Sequence, residues 1–479
     1  MTEAATAEPV AGRLNRGLAL LVAGTFFMEN LDGTIVATAA PAIARDLGVA
    51  PVDINLVMTT YLVAVAVGIP LSGWLADRFG GRRVFLVAIG VFTLASAGCA
   101  VSTSLPVLCA VRVVQGLGGA MMVPVGRLVV LRATEKRDLL DAIAYLPWPA
   151  LVAPVIAPFI GGWLSTYASW QWIFLINIPL GVVAVVVAVK VVPMVAGGGV
   201  GPLDWVGFFL CAVTLVSLLL GVEGVGQRSP HGVLVAALLV VAAGAGAFTV
   251  LHLRRASRPL LDLTALRVCT FRVANASGMV YRMAISAVPF LLPLMFQLAF
   301  HWTAVRSGLM VMAVFLGNVM IKPATSPLIR RWGFRRVIVT SSLGGALMLV
   351  ACAILRPATP AAVIAGVLVL SGATRSLGFS AYNSLQFADI PGPQMSAANT
   401  LSSTIGQLAA GLGVAVGALV LRLAGGVLDS LAPGHDVLLA YSVAFGLLAL
   451  MMLYPVAEGF VGLHRGAGSE VASAGASRR

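Results

Sequence analysis

Long apolar stretches, each near the twenty residues that cross a hydrocarbon core, alternate with short polar connections along the whole chain. They occupy 17–40, 54–76, 84–102, 106–131, 142–164, 171–192 and 203–224, then 232–253, 271–298, 304–326, 337–355, 360–384, 396–421 and 437–460. The runs are unbroken rather than alternating at every second residue, so they read as helices and not as barrel strands. The pattern predicts an all-α integral membrane protein with fourteen transmembrane helices and little chain left for a soluble domain.

Composition agrees. Only 10% of the 479 residues are charged, against roughly 25% in a soluble domain. A water-exposed globule of this size could not cover its core. The net charge of +13 raises the question of nucleic acid, but lysine is confined to Lys136, Lys190 and Lys322. The remaining basics are arginines in short clusters between apolar runs, which is a topological pattern, so no nucleic-acid partner is expected. With the N-terminus cytoplasmic, inner loops and tails hold 21 basics and outer loops five. By the positive-inside rule both termini are cytoplasmic, and an even number of helices follows. Residues 1–17 carry no visible cleavable signal, because the apolar run after them is a full span.

Metal and redox chemistry find no support. Cys99, Cys109, Cys211, Cys269 and Cys352 lie in or beside apolar runs without CxxC spacing, and the five histidines are scattered. There is no P-loop. Neither an enzyme nor a resident cofactor or metal is expected.

The chain repeats itself. Asp77-Arg78-Phe79-Gly80-Gly81-Arg82-Arg83-Val84 recurs 253 residues later as Arg330-Arg331-Trp332-Gly333-Phe334-Arg335-Arg336-Val337. Each copy falls between the second and third helices of a six-helix unit. The expected division is a tail (1–16), a six-helix bundle (17–195), a two-helix insert (196–262), a second bundle (263–461) and a tail (462–479). Duplicated bundles with a site between them are a transporter layout; a receptor or a channel is the alternative of another class.

Several acids and bases lie too deep for topology alone. At 1.5 Å per residue Asp32 lies about 22 Å from the boundary at Gly17, where an acid costs roughly 2.5–3.5 kcal/mol. Thr25, Glu29 and Asp32 share a helix face, so both acids are expected to line a cavity. Arg112, about 10 Å below the outer end of its helix, lies at a depth similar to that of Asp32, and pairing would lower the burial cost of both. Gln115, Gly116 and Gly119 extend the same small, polar face.

The stretch Gly73-Trp74-Leu75-Ala76-Asp77-Arg78-Phe79-Gly80-Gly81-Arg82-Arg83 resembles the loop motif of the major facilitator superfamily, with Gly81 where a first basic residue is usual. Leu31-Asp32-Gly33-Thr34-Ile35-Val36 resembles the signature of its fourteen-helix drug:proton antiporter branch. Leu108, Arg112, Gln115 and Gly116 are similar to its fourth-helix motif. The segment from Ala153 to Gly162, with Pro154, Pro158, Gly161 and Gly162, looks like its antiporter motif, Ala153 and Ala157 replacing glycines. Trp170 to Gly181 matches the same branch. The resemblance covers Arg16 to about Phe460.

It implies a major facilitator fold, a proton gradient as the energy source, and proton coupling at Asp32 and Arg112; Glu29, on the same helix face as Asp32, is an equal candidate for the coupling proton by its depth alone. A cytoplasmic gate would involve Gly73, Asp77, Arg78, Gly80, Arg82 and Arg83. The substrate cavity is expected to include Gln115, Asn177, Arg282, Arg375 and Asn383. Arg282 and Arg375 sit about 16 and 22 Å into their helices, while no acid occupies the middle of a span in the second bundle. Those basics either receive an anionic group or pair with Asp32 or Glu29 across the halves. Lys322 and Arg127, nearer helix ends, are expected to snorkel. The expectation is a monomeric, proton-coupled efflux transporter of the bacterial cytoplasmic (inner) membrane, exporting drugs, amphipathic metabolites or an anionic, citrate-like species.

Overall fold

The computed structural model describes residues 16–463 apart from 136–137, 139–141, 144–145, 147, 195–196, 199, 227–231 and 432–436. The predicted tails lie almost wholly outside them. The elements are helices: α1 Arg16–Leu47, α2 Asn55–Gly68, α3 Leu71–Phe79, α4 Gly81–Ala100, α5 Leu105–Ala133, α6 Trp148–Tyr167, α7 Trp172–Leu175 and α8 Asn177–Val191. They continue with α9 Trp205–Gly226, α10 Gly232–Arg255, α11 Cys269–Leu294, α12 Ala304–Met320, α13 Lys322–Ile354, α14 Ala361–Ala388, α15 Met395–Leu431, α16 Val437–Met451 and α17 Leu453–Val461.

Among the described residues eleven helices are long and apolar enough to cross a bilayer, and the bent pair α2–α3 makes a twelfth. Helix α6, of 20 residues, and the shorter α12 fill the two intervals that remain, so helix occupies all fourteen predicted stretches. Large apolar side chains such as Leu20, Leu94 and Phe248 point outward. On a soluble protein they would form aggregation-prone patches; against lipid tails they cost nothing.

The repeat is structural as well as sequential. The α2–α3 helix bends by 56° at Pro70, and α13 begins beside Pro323, its counterpart 253 residues on. Proline removes a backbone donor and obstructs the preceding turn, so both breaks have the same cause. Gly80 ends α3 with φ 86°, and Gly333 interrupts α13 with φ 77° and ψ 160°. Side chains disfavour both conformations, which makes glycine obligatory at the tight turn. The turns mark one end of the molecule, called here the arginine-rich end because Arg78, Arg82, Arg83, Arg330, Arg331, Arg335 and Arg336 cluster around them.

Buried apolar side chains form separate cores. One is drawn mostly from 261–463; two others are drawn from 18–192. The pair α9–α10 lies between them in sequence. Helix α9 packs on α2 of the first half and on α15 of the second, while α10 packs chiefly on α9. Asp204 caps α9 by accepting from Gly207 N–H at 2.8 Å, and it also accepts from Leu260 N–H at 3.1 Å and meets His252 Nε2 at 2.9 Å. Burial alone would raise the pKa of this carboxyl, but those hydrogen bonds hold it below the usual carboxylate range.

Candidate functional site

Asp32, near the middle of α1, is 1% exposed. Its Oδ2 accepts from Arg112 Nη1 at 2.5 Å, and its Oδ1 accepts from Gln115 Nε2 at 3.0 Å and Asn177 Nδ2 at 2.8 Å. Ser96 Oγ sits behind, accepting from Gln115 and Asn177 and donating to Phe174 O. Arg112 is held further by Gln115 Oε1 and Val57 O, with its guanidinium 4.2 Å from the Tyr61 ring centroid. A buried charge pair is tolerable only when the remaining lone pairs and protons are also satisfied, and here most of them are.

This corrects three expectations. Asp32 does not line a cavity, because Arg112 draws it into the first-half core. Gln115 and Asn177 are not on a cavity wall either, since their amide donors are used on Asp32. The depth arithmetic did place Asp32 and Arg112 at one level, and the two are in direct contact. Thr25 is buried, its hydroxyl donating to Val22 O.

A cavity of about 420 Å³ lies between the halves, within the size range of small-molecule pockets. Glu29 reaches it from the first half; among the described residues lining it, this is the one acid. Arg127, Arg282 and Arg375 supply three cations, with Asn318, Ser376 and Asn383 beside them. Arg282 Nη2 donates to Asn383 Oδ1 at 2.7 Å and stacks 5.0 Å from the Phe379 centroid. Arg375 Nη1 is buried with no hydrogen-bond partner among the described residues. Neither arginine pairs with Asp32 or Glu29, because Asp32 is already taken and no ion pair forms across the cavity among the described residues.

Arg127 and Lys322 do not snorkel. Arg127 Nε donates to Asn399 Oδ1 at 2.7 Å and its Nη2 to Ser403 Oγ at 2.5 Å, joining α5 to α15 across the halves. Asn399 Nδ2 returns a bond to Pro124 O at 2.9 Å. Lys322, 8% exposed, donates to Ser380 Oγ at 2.7 Å; the helix break beside it turns its side chain into the second half.

At the arginine-rich end the halves meet closely. Gly73 of α3 packs against Thr400 and Ser396 of α15, and a methyl group at Gly73 would collide with Thr400 Oγ1. The Asp77 carboxylate pairs with Arg132 of its own half at 2.8 Å, while Pro393 of the second half lines the pocket beside that pair. Arg78 donates to Val200 O at 2.9 Å, Arg82 to Val189 O, and Arg83 is exposed. Residues 197–198 and 200–201 lie over the motif: Gly198 N–H donates to Asp77 O at 3.1 Å and Trp74 Nε1 to Gly201 O at 3.1 Å.

In α6, Gly161 packs closely on Ile35 and Thr38 of α1, while a methyl group at Gly162 would meet no described atom within 4 Å. Pro154 and Pro158 lie within this helix, but their side chains fall outside the described residues, as does all of Pro147. Sequence reasoning missed Ser96, Tyr61, Asn318, Ser376 and Asn399. Their signal was weak: single small polar or aromatic residues in apolar helices, without charge or motif.

Two helical halves that repeat one another, with a charged cavity between them and a closed end built on paired glycine turns, define a membrane transporter. The chain belongs to the major facilitator superfamily, whose family pattern it matches over residues 22–414. It is 36% identical over 413 residues to "Probable transport protein HsrA" of Haemophilus influenzae, covering 85% of this chain and 88% of that one. It is 37% identical over 407 residues to "Putative multidrug resistance protein MdtD" of Escherichia coli, covering 85% and 86%. Among solved structures, the human organic anion transporter MFSD10 (TETRAN) superposes with a TM-score of 0.63 at 15% identity, over 91% of this chain and 99% of that one. The proton:xylose symporter XylE does so at 0.60 and 11% identity, over 97% and 99%. At such identities the two structures speak for the fold alone.

Proposed function

We propose that the chain is a proton-coupled exporter of small molecules, acting as a monomer by alternating access in the bacterial inner membrane with both termini cytoplasmic. The observation that carries this reading is the division of labour between two acids on α1. Asp32 is locked to Arg112 in the core, whereas Glu29 faces the cavity with no hydrogen bond among the described residues, free to exchange a proton. Asp32, Arg112, Gln115 and Asn177 then form a rigid support whose charge balance holds α1 against α5 and α8. The arginine-rich end is the cytoplasmic gate, closed in this conformation by Gly73 against Thr400 and by Arg127 against Asn399 and Ser403. The relatedness to MdtD supports efflux of drugs or amphipathic metabolites.

A second reading, export of an anionic metabolite or metal chelate of citrate-like character, is favoured by three cavity arginines facing one acid. Uptake into proteoliposomes under an imposed pH gradient, with tetraphenylphosphonium and citrate as probes, tests both. Transport that ignores the gradient, and persists in Glu29→Gln and Asp32→Asn, overturns proton antiport.

A further inference from the structure

The cavity carries opposite charges on opposite walls, and they occupy equivalent places in the two repeats. Glu29 of α1 and Arg282 of α11 are separated by the same 253 residues that relate Gly80 to Gly333. Both line the one cavity. The second-half wall has unused binding capacity: Arg375 Nη1, both side-chain polar atoms of Asn318 and Ser376 Oγ have no partner among the described residues. Asn318 and Ser376 are 1% and 3% exposed. Buried polar groups left unpaired are costly, so a ligand that satisfies several of them gains affinity. Arg127, the third cation, is already occupied at the cavity floor by Asn399 and Ser403.

Other groups face Glu29 as well. Asp32 lies one turn along α1, neutralised by Arg112; Tyr61 of α2 shares the face of Gly119 with Glu29, a Cβ there lying 3.2 Å from the Tyr61 hydroxyl and 3.7 Å from Glu29 Cγ, and that hydroxyl is buried with no partner among the described residues. Neither offers Glu29 a cation. Building on the reading of this cavity as the transport site, we propose that it is built for an amphoteric small molecule. The ammonium of such a molecule takes Glu29, and its carboxylate or other acidic group takes Arg282 and Arg375 with Asn318 and Ser376. The coupling follows from competition. A proton from the outer side binds the Glu29 carboxylate and neutralises it, the ammonium loses its counter-charge, and the substrate leaves with its own protons unchanged. An anion held only by the arginines would not compete with that proton, and a simple cation would leave the opposite wall unsatisfied.

The test uses one skeleton in three charge patterns: phenylalanyl-phenylalanine, its methyl ester and its N-acetyl form, titrated calorimetrically into the full-length transporter at pH 7. The zwitterion is expected to bind at least tenfold more tightly than either derivative. In Glu29→Gln its advantage over the N-acetyl form disappears; in Arg375→Met its advantage over the ester disappears. Should Arg375→Met fail to fold, Asn318→Ala and Ser376→Ala serve, with the same selective loss. A derivative binding as tightly as the zwitterion, or no binding by any of the three, overturns the proposal. Flux measured in parallel under a pH gradient separates the two failures. Gradient-driven flux of one derivative without preference for the zwitterion sinks only the amphoteric site, whereas flux indifferent to the gradient sinks the exporter reading itself.

Discussion

Arg112 and Asp32 meet at 2.5 Å with no solvent exposure of either side chain, and Gln115, Asn177 and Ser96 complete the cluster around them. Removing one member of such a pair leaves the other charged, buried and uncompensated. Asp32→Asn should therefore lower stability in detergent by about 3–5 kcal/mol, read as a drop in unfolding midpoint. Arg112→Lys should not rescue, because a point ammonium cannot bond Asp32, Gln115 and the Val57 carbonyl while stacking on Tyr61. Wild-type stability of Asp32→Asn would contradict the account.

Glu29→Gln should behave in the opposite manner. This side chain makes no hydrogen bond among the described residues, so the unfolding midpoint should stay within the ±0.5 kcal/mol typical of substitutions that break no feature. Gradient-driven transport should be lost, while substrate exchange without a gradient continues. Retained pH-gradient coupling would move the proton site elsewhere.

Gly73→Val should prevent closure of the arginine-rich end, since the added side chain meets Thr400 and Ser396. Spin labels at Phe79 and Gly392 should report a longer distance than in the unsubstituted background. Thr400→Ala should restore part of the closure in the double variant, and an unchanged distance in Gly73→Val would refute the contact as a gate.

Gly80→Ala and Gly333→Ala should each cost about 1–3 kcal/mol, the strain of a side chain held in a glycine-only backbone region. Their repeat-related positions predict similar losses in thermal unfolding, whereas Gly90→Ala, with open space around it, should be neutral or stabilising.

Asp204 supplies a pH signature. Its carboxyl titrates below the usual range because Gly207, His252 and Leu260 bond the charged form more than burial disfavours it. A depressed folded-state value contributes stability above the unfolded-state value, about 3.9, and loses it as pH falls through the folded one. The unfolding midpoint should be level from pH 7 to about 5 in this respect and fall on stronger acidification. Asp204→Asn should remove that acid limb and cost about 1–3 kcal/mol at neutral pH.

The fold was largely legible because lipid imposes one rule on every span: long apolar runs, with charge placed by depth. The pairing of Asp32 with Arg112 followed from depth alone. Which acid meets the cavity did not, because Glu29 and Asp32 share a helix face and only the inward pull of Arg112, Gln115 and Asn177 separates them. The partner of Asp77 was equally hidden, since it depends on how α3 and α5 end at the same level. Asn318 and Ser376 were illegible for a third reason: an unsatisfied polar atom is a property of the packed state, not of a residue type.

Helix α9 touches α2 on one side and α15 on the other, through Leu215, Leu218 and Leu219 facing Ala66 and Gly411. These surfaces are aliphatic and carry no directional bond, unlike the clasp that Arg127 makes with Asn399. When the two halves rock, one of these faces must slide, and dispersion contacts re-form at each position at little cost. On the alternating-access reading proposed above, α9 would act as a bearing along one seam of the transporter, following the joint without setting the angle at which it rests.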